Sequence, residues 1–99
     1  MTNQNVQKNP LFEVGQTVIT PAALEALQQA GTSIACLLCR HQSGDWGDLN
    51  AEDKDQNNEA LRLGSRLYSS YPITETTWIW VITESDRSGT LLLLHPEDY

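Results

Sequence analysis

The residues best able to do chemistry lie between Cys36 and Glu59. Cys36-Leu37-Leu38-Cys39 has the spacing of a redox or zinc pair, with His41 two residues further on and His95 far along the chain. A redox pair of this kind works at a helix start, where the helix dipole lowers the thiol pKa. Here the pair falls inside a helical pattern, between leucines, with no preceding strand–helix–strand unit. A zinc site would have to gather Cys36, Cys39, His41 and His95, and a lone CxxC does not specify that. Packing of both thiols as small apolar side chains is the plainer reading. Asp48, Asn50, Glu52 and Glu59 match four ligand positions of a calcium loop. The position that needs glycine for the sharp turn holds Asp53, however, and the apolar position holds Asp55. The same residues make a well-capped helix, so no metal or other cofactor is expected.

Two polar clusters are candidate partner-binding sites. In Ser43-Gly44-Asp45-Trp46-Gly47-Asp48, Trp46 sits between two glycines and beside Asp45 and Asp48. An exposed tryptophan on such a loop is an interface anchor. The competing reading is a lid, with the indole folded onto the sheet edge and the carboxylates capping nearby N–H groups. Asp86 and Arg87 form the second cluster, at a turn between two strand patterns, where Asp86 suits an Asx-turn. No P-loop, dinucleotide fingerprint, nucleophile elbow or HExxH motif occurs, and the sequence reads as non-enzymatic.

The elements that must position these residues follow from the periodicity. Thr17-Val18-Ile19 reads as a short strand after Gly15, and that glycine either bends it or lets another backbone approach. Thr20-Pro21 is a helix start, with a hydroxyl at the N-cap and proline at N1. Leu24, Leu27, Ala23 and Ala30 give the helix an apolar face, and Gly31 ends it. Thr32 is placed as the cap of a second helix over residues 33–41. Asn50, with Asp53 three residues on, opens a third, mostly wet helix that Gly64 closes. From Ser65 the period becomes two: residues 66–71 and 77–83 read as strands, 84–89 as a hairpin turn, and 90–94 as the return. Trp78, Trp80 and Ile82 point to one face of the strongest strand, Ile79 and Val81 to the other. Both faces are apolar, so one should meet the helices and the other needs cover from the N-terminal segment, the tail or a second copy. The fold expected is α+β: a short N-terminal strand and two to three helices packed on a three- to four-stranded antiparallel sheet.

Ninety-nine residues make one domain, expected over 11–99 behind a flexible tail at 1–10. Thirteen acidic residues against six basic ones give a net charge of −7, with the bases scattered. Phosphate binding rests on Lys and Arg, so no direct nucleic-acid binding is expected. Apolar runs such as Trp78 to Ile82 and Leu91 to Leu94 are far short of a membrane span, and a cytoplasmic protein with no membrane partner is the expectation. A homodimer is possible through the two-faced strand.

The segments Ser43-Gly44-Asp45-Trp46-Gly47-Asp48-Leu49, Glu52-Asp53-Lys54, Thr83-Glu84-Ser85-Asp86-Arg87-Ser88 and Pro96-Glu97-Asp98-Tyr99, with the helix start at Thr20 to Leu24, resemble a family of small uncharacterised bacterial proteins often found on plasmids and other mobile elements. The resemblance covers about residues 11–99. Ser85 and Asn58 stand where the family pattern has Ala and Asp, and His95 precedes the final proline. The resemblance implies a context and no catalytic residues. Together these features point to a protein-interaction module of a bacterial mobile element, binding another protein through Asp45, Trp46 and Asp48 or through Asp86 and Arg87. The alternatives are an acidic nucleic-acid mimic that inhibits a DNA-binding or defence protein, and a small metal- or thiol-dependent protein using Cys36 and Cys39.

Overall fold

The computed structural model describes residues 10–98; the tail expected at 1–10 falls almost wholly outside them. The elements run β1 (Gln16–Ile19), α1 (Pro21–Ala30), α2 (Ile34–Gln42), α3 (Ala51–Leu63), β2 (Leu67–Pro72), β3 (Trp78–Thr83) and β4 (Gly89–His95). The sheet order is β1-β4-β3-β2. β2, β3 and β4 form the expected antiparallel meander, whereas β1 runs parallel to β4. The fold is therefore the expected α+β, with a mostly antiparallel sheet in which the β1–β4 pair alone is parallel. Alternation in the sequence tells which residues share a face, but a four-residue edge strand can pair in either direction.

The helix starts follow from side-chain capping. Thr20 accepts the Ala23 N–H at the start of α1, and its own hydroxyl donates to Asp98 at 2.5 Å. Asp98 also accepts the Leu94 N–H, so the C-terminal turn is latched to the first helix. This pairing with the Thr20 hydroxyl holds the Asp98 carboxyl below its ordinary pKa. The second cap is Ser33, not Thr32: Ser33 Oγ accepts the Cys36 N–H. Thr32 lies one residue too early, because α2 begins at Ile34 and Thr32 still belongs to the closure of α1, its N–H bonding Leu27 O. Asn50 caps α3 by accepting the Asp53 N–H, as the spacing predicts.

All three helices lie on the sheet face that presents Ser69 and Tyr71, Ile79 and Val81, and Leu92 and Leu94. Beneath α1 and α2, Ala23, Leu27 and Leu37 join Tyr71, Ile79, Val81, Leu92 and Leu94 in the main core. A second cluster of Phe12, Trp46 and Leu67 fills the space toward α3, with Leu49, Ala60 and Leu61 around it. Period-two alternation in β2 and β3 thus places one residue set in each layer, and burying the inner set against helices is what fixes the register.

Candidate functional site

The loop that looked most functional seals the outer edge of β2. Ser70 donates its N–H to Trp46 O (3.1 Å) and accepts the Asp48 N–H (2.6 Å), so residues 46–48 run beside β2 as a short parallel bridge. Gly47 is required here. It has φ +78°, and a Cβ on it would meet Ser70 O at 2.2 Å. Asn57 of α3 occupies the next stretch of the same edge: its amide donates to Tyr68 O and accepts the Tyr68 N–H. One side-chain amide thus stands in for a neighbouring strand.

Trp46 is only 3% exposed. Its ring stacks on Phe12 (centroids 6.3 Å apart), meets the edge of His41, and donates its Nε1–H to Asn58 at 2.9 Å. The indole is core, and Trp46 presents no anchor to a partner. Asp45 pairs with Arg40 Nε at 2.7 Å and accepts the Gly47 N–H. The Arg40 guanidinium holds the Asp45 carboxyl below its ordinary pKa and is itself pushed up in return. Asp48 accepts the Trp78 Nε1–H at 3.1 Å. Both carboxylates brace the lid.

Asp86 makes the expected turn, accepting the Ser88 N–H at 2.9 Å. Arg87, at φ +63°, turns its guanidinium back to donate to the carbonyls of Glu84, Ser85 and Ser65. It thereby ties the β3–β4 turn to the start of β2. The five candidate residues therefore belong to two separate latches, not to one convergent site.

Sequence reasoning missed a buried polar chain. His41 is fully buried, with Nδ1 2.6 Å from Ser69 Oγ and Nε2 3.0 Å from Thr83 Oγ1. Thr83 Oγ1 lies 2.7 Å from Thr90 Oγ1, which donates to Val14 O. The terminal carbonyl fixes the protons of this chain as far as His41 Nε2. Thr90 must donate to Val14 O, so Thr83 donates to Thr90 and accepts from His41 Nε2–H. In the neutral imidazole that burial favours, Nδ1 accepts from the Ser69 hydroxyl. The histidine is neutral, and burial, with the Arg87 charge second, lowers its pKa to about 4. Its distance from Ser69 is that of a base beside a nucleophile, but Ser69, His41 and Thr83 are all fully buried, with no surface for a substrate to reach. The legible signal was three hydroxyl residues, Ser69, Thr83 and Thr90, on the core face of neighbouring strands: polar groups there require a buried polar partner.

The zinc set does not assemble. His41 points into this chain, whereas His95 lies on the opposite face of the sheet, stacked on Trp80 with centroids 4.3 Å apart. Among the described residues no group of three or more His, Cys, Asp or Glu side chains could hold a metal ion. Cys36 is exposed and Cys39 half-buried on α2.

The remaining surface of note is the helix-free face of the sheet. It presents Tyr68, Ser70 and Pro72 from β2, Trp78, Trp80 and Ile82 from β3, Leu91, Leu93 and His95 from β4, and Gln16 and Val18 from β1. These strands place no Asp, Glu, Lys or Arg there. Val18 is 52% and Leu91 36% exposed, and grooves of about 420 Å³ flank the two ends of the patch. Leu11 and Phe12 do not lie on it, being bonded to Gln42 on the helical side. No described helix is long and apolar enough to cross a membrane. The chain matches no protein-family model, no curated protein and no solved structure.

Proposed function

We propose that the chain is a non-catalytic protein-interaction module, carried on bacterial mobile elements as its resemblance implies, and that it binds its partner through the helix-free face of the sheet. One observation carries this reading: in a chain of net charge −7, the strands place no Asp, Glu, Lys or Arg on that face. A solvated face of an antiparallel sheet ordinarily alternates to polar residues. An apolar, aromatic-centred patch with charge only at its border has the composition of an interface core. Trp80, stacked on His95, is its natural centre. Affinity capture from the native host with the wild type and with Leu91→Glu tests this. The account expects one protein enriched by the wild type and lost with Leu91→Glu at unchanged melting temperature. Equal capture by both chains would refute the face as the binding surface.

A second reading, the acidic nucleic-acid mimic, is favoured by α3. Glu52, Asp55 and Glu59 recur at i, i+3 and i+7 and are all exposed, which makes one carboxylate stripe along the helix. Mimicry predicts that the captured partner is a DNA-binding protein released by duplex DNA. It also predicts binding that weakens steeply with salt, whereas the apolar-face reading predicts binding that barely changes between low and high salt.

A further inference from the structure

We infer that a second copy of this chain pairs with the free edge of β1, antiparallel, with Val18 opposite Val18 of the copy, so that two four-stranded sheets become one. The two edges of the sheet differ in kind. Along β2 the outward backbone groups are occupied by Asn57 and by residues 46–48. Along β1, Gln16 N–H bonds Ser88 O and Thr20 N–H bonds Leu92 O. Alternation in the ladder therefore turns Gln16, Val18 and Thr20 toward β4, and turns the N–H and C=O groups of Thr17 and Ile19 outward. Edge strands are ordinarily protected by charge, proline or a bulge. Gln16-Thr17-Val18-Ile19 has none of these within it.

Two further features select a second copy as the occupant. The strand is uncharged, so a copy of this acidic chain meets no like charge along the paired residues, and its sequence suits its own reverse. Two-fold pairing centred on Val18 sets Thr17 against Ile19 of the copy and Ile19 against Thr17, closing about four backbone hydrogen bonds. Val18 then falls at a non-hydrogen-bonded site, where opposed side chains approach most closely, and it is the 52% exposed residue of the strand. Area points the same way. At about 4.8 Å per strand and 3.3 Å per residue, one sheet face offers roughly 400 Å². Two faces joined edge to edge offer roughly 800 Å², the footprint that a standard-size interface needs on each partner. The dimer thus rests on the proposed binding face and deepens it, by making that face large enough.

The register supplies the test. With Cys36 and Cys39 replaced by serine, Val18→Cys places two thiols on opposed residues whose Cα separation suits a disulfide, whereas Thr17→Cys faces Ile19 of the copy. Under mild oxidation the inference expects Val18→Cys to cross-link at least tenfold faster than Thr17→Cys. Thr17→Pro removes one outward donor and leaves the β1–β4 ladder intact. It should bring the light-scattering mass of the otherwise unmodified chain, dimeric at high concentration, down to that of a monomer. Equal cross-linking of the two cysteine variants, or a monomeric wild type at the highest concentration, overturns the dimer. Either result leaves the face itself testable, because Leu91→Glu reads partner capture on the monomer.

Discussion

The two long edges of the sheet have opposite treatments. At β2 a side-chain amide, a glycine-jointed loop and a buried indole satisfy the outward backbone and bury its neighbours. At β1 the outward backbone meets no described strand, and no described helix lies on the apolar face beside it. The sealed edge accounts for Asp45, Trp46 and Asp48, residues whose types advertised recognition. The open edge consists of Gln16, Thr17, Val18 and Ile19, which advertised nothing. Unusual side chains mark a difficult structural task as readily as a binding site, whereas a surface meant for a partner can be made of ordinary strand residues.

Breaking the sealed edge should have the largest effect. Trp46→Ala removes a 3%-exposed indole packed on Phe12 and His41, and should cost about 3–5 kcal/mol by urea denaturation. Unchanged stability would return Trp46 to the surface as an anchor. The next effect is acid sensitivity centred on His41. Its folded pKa of about 4 lies below the unfolded value of 6.5. Between these values only the unfolded chain binds the proton, so the neutral histidine's contribution is complete above about pH 6.5 and is lost as pH falls toward 4. The loss should reach about 3 kcal/mol, and the difference between wild type and His41→Gln across that window isolates it from the carboxylates. A flat difference would mean that the imidazole is charged in the folded protein.

Much of the frame was legible because local chemistry determines it. Thr20-Pro21, Asn50 with Asp53, and the glycines at 31 and 64 define helix ends by capping alone, and the alternation from Leu67 onward sorted the two sheet faces correctly. What was illegible depends on distance. Thr32 was a reasonable cap, but the closure of α1 runs through it and α2 starts one residue later. The pairing direction of β1 depends on β4, about seventy residues later. His41 was weighed as a metal ligand because its partners, Ser69, Thr83 and Thr90, are spread across three strands. The motifs that carry the family resemblance proved to be fastenings: Thr20 with Asp98, Asp48 with Trp78, Arg87 with Ser65.

Smaller perturbations sharpen the contrast. Asn57→Ala strips the amide from Tyr68 N–H and C=O and should cost about 2 kcal/mol, the scale of a buried group left without its partner. Loss of under 0.5 kcal/mol would mean that water serves that edge equally well. Val18→Ser on the open edge should stay within about 0.5 kcal/mol in dilute protein, where the side chain is half in water. A cost above 1 kcal/mol would mean that β1 is buried even in the monomer.

Native-state amide hydrogen exchange reads both edges in one experiment. In protein dilute enough to be monomeric, the account predicts that Tyr68 and Ser70, bonded to Asn57 and Trp46 O, exchange at least a hundredfold more slowly than Thr17 and Ile19 relative to their unstructured rates. Equal protection of the four amides would contradict the division of the sheet into a sealed edge and an open one.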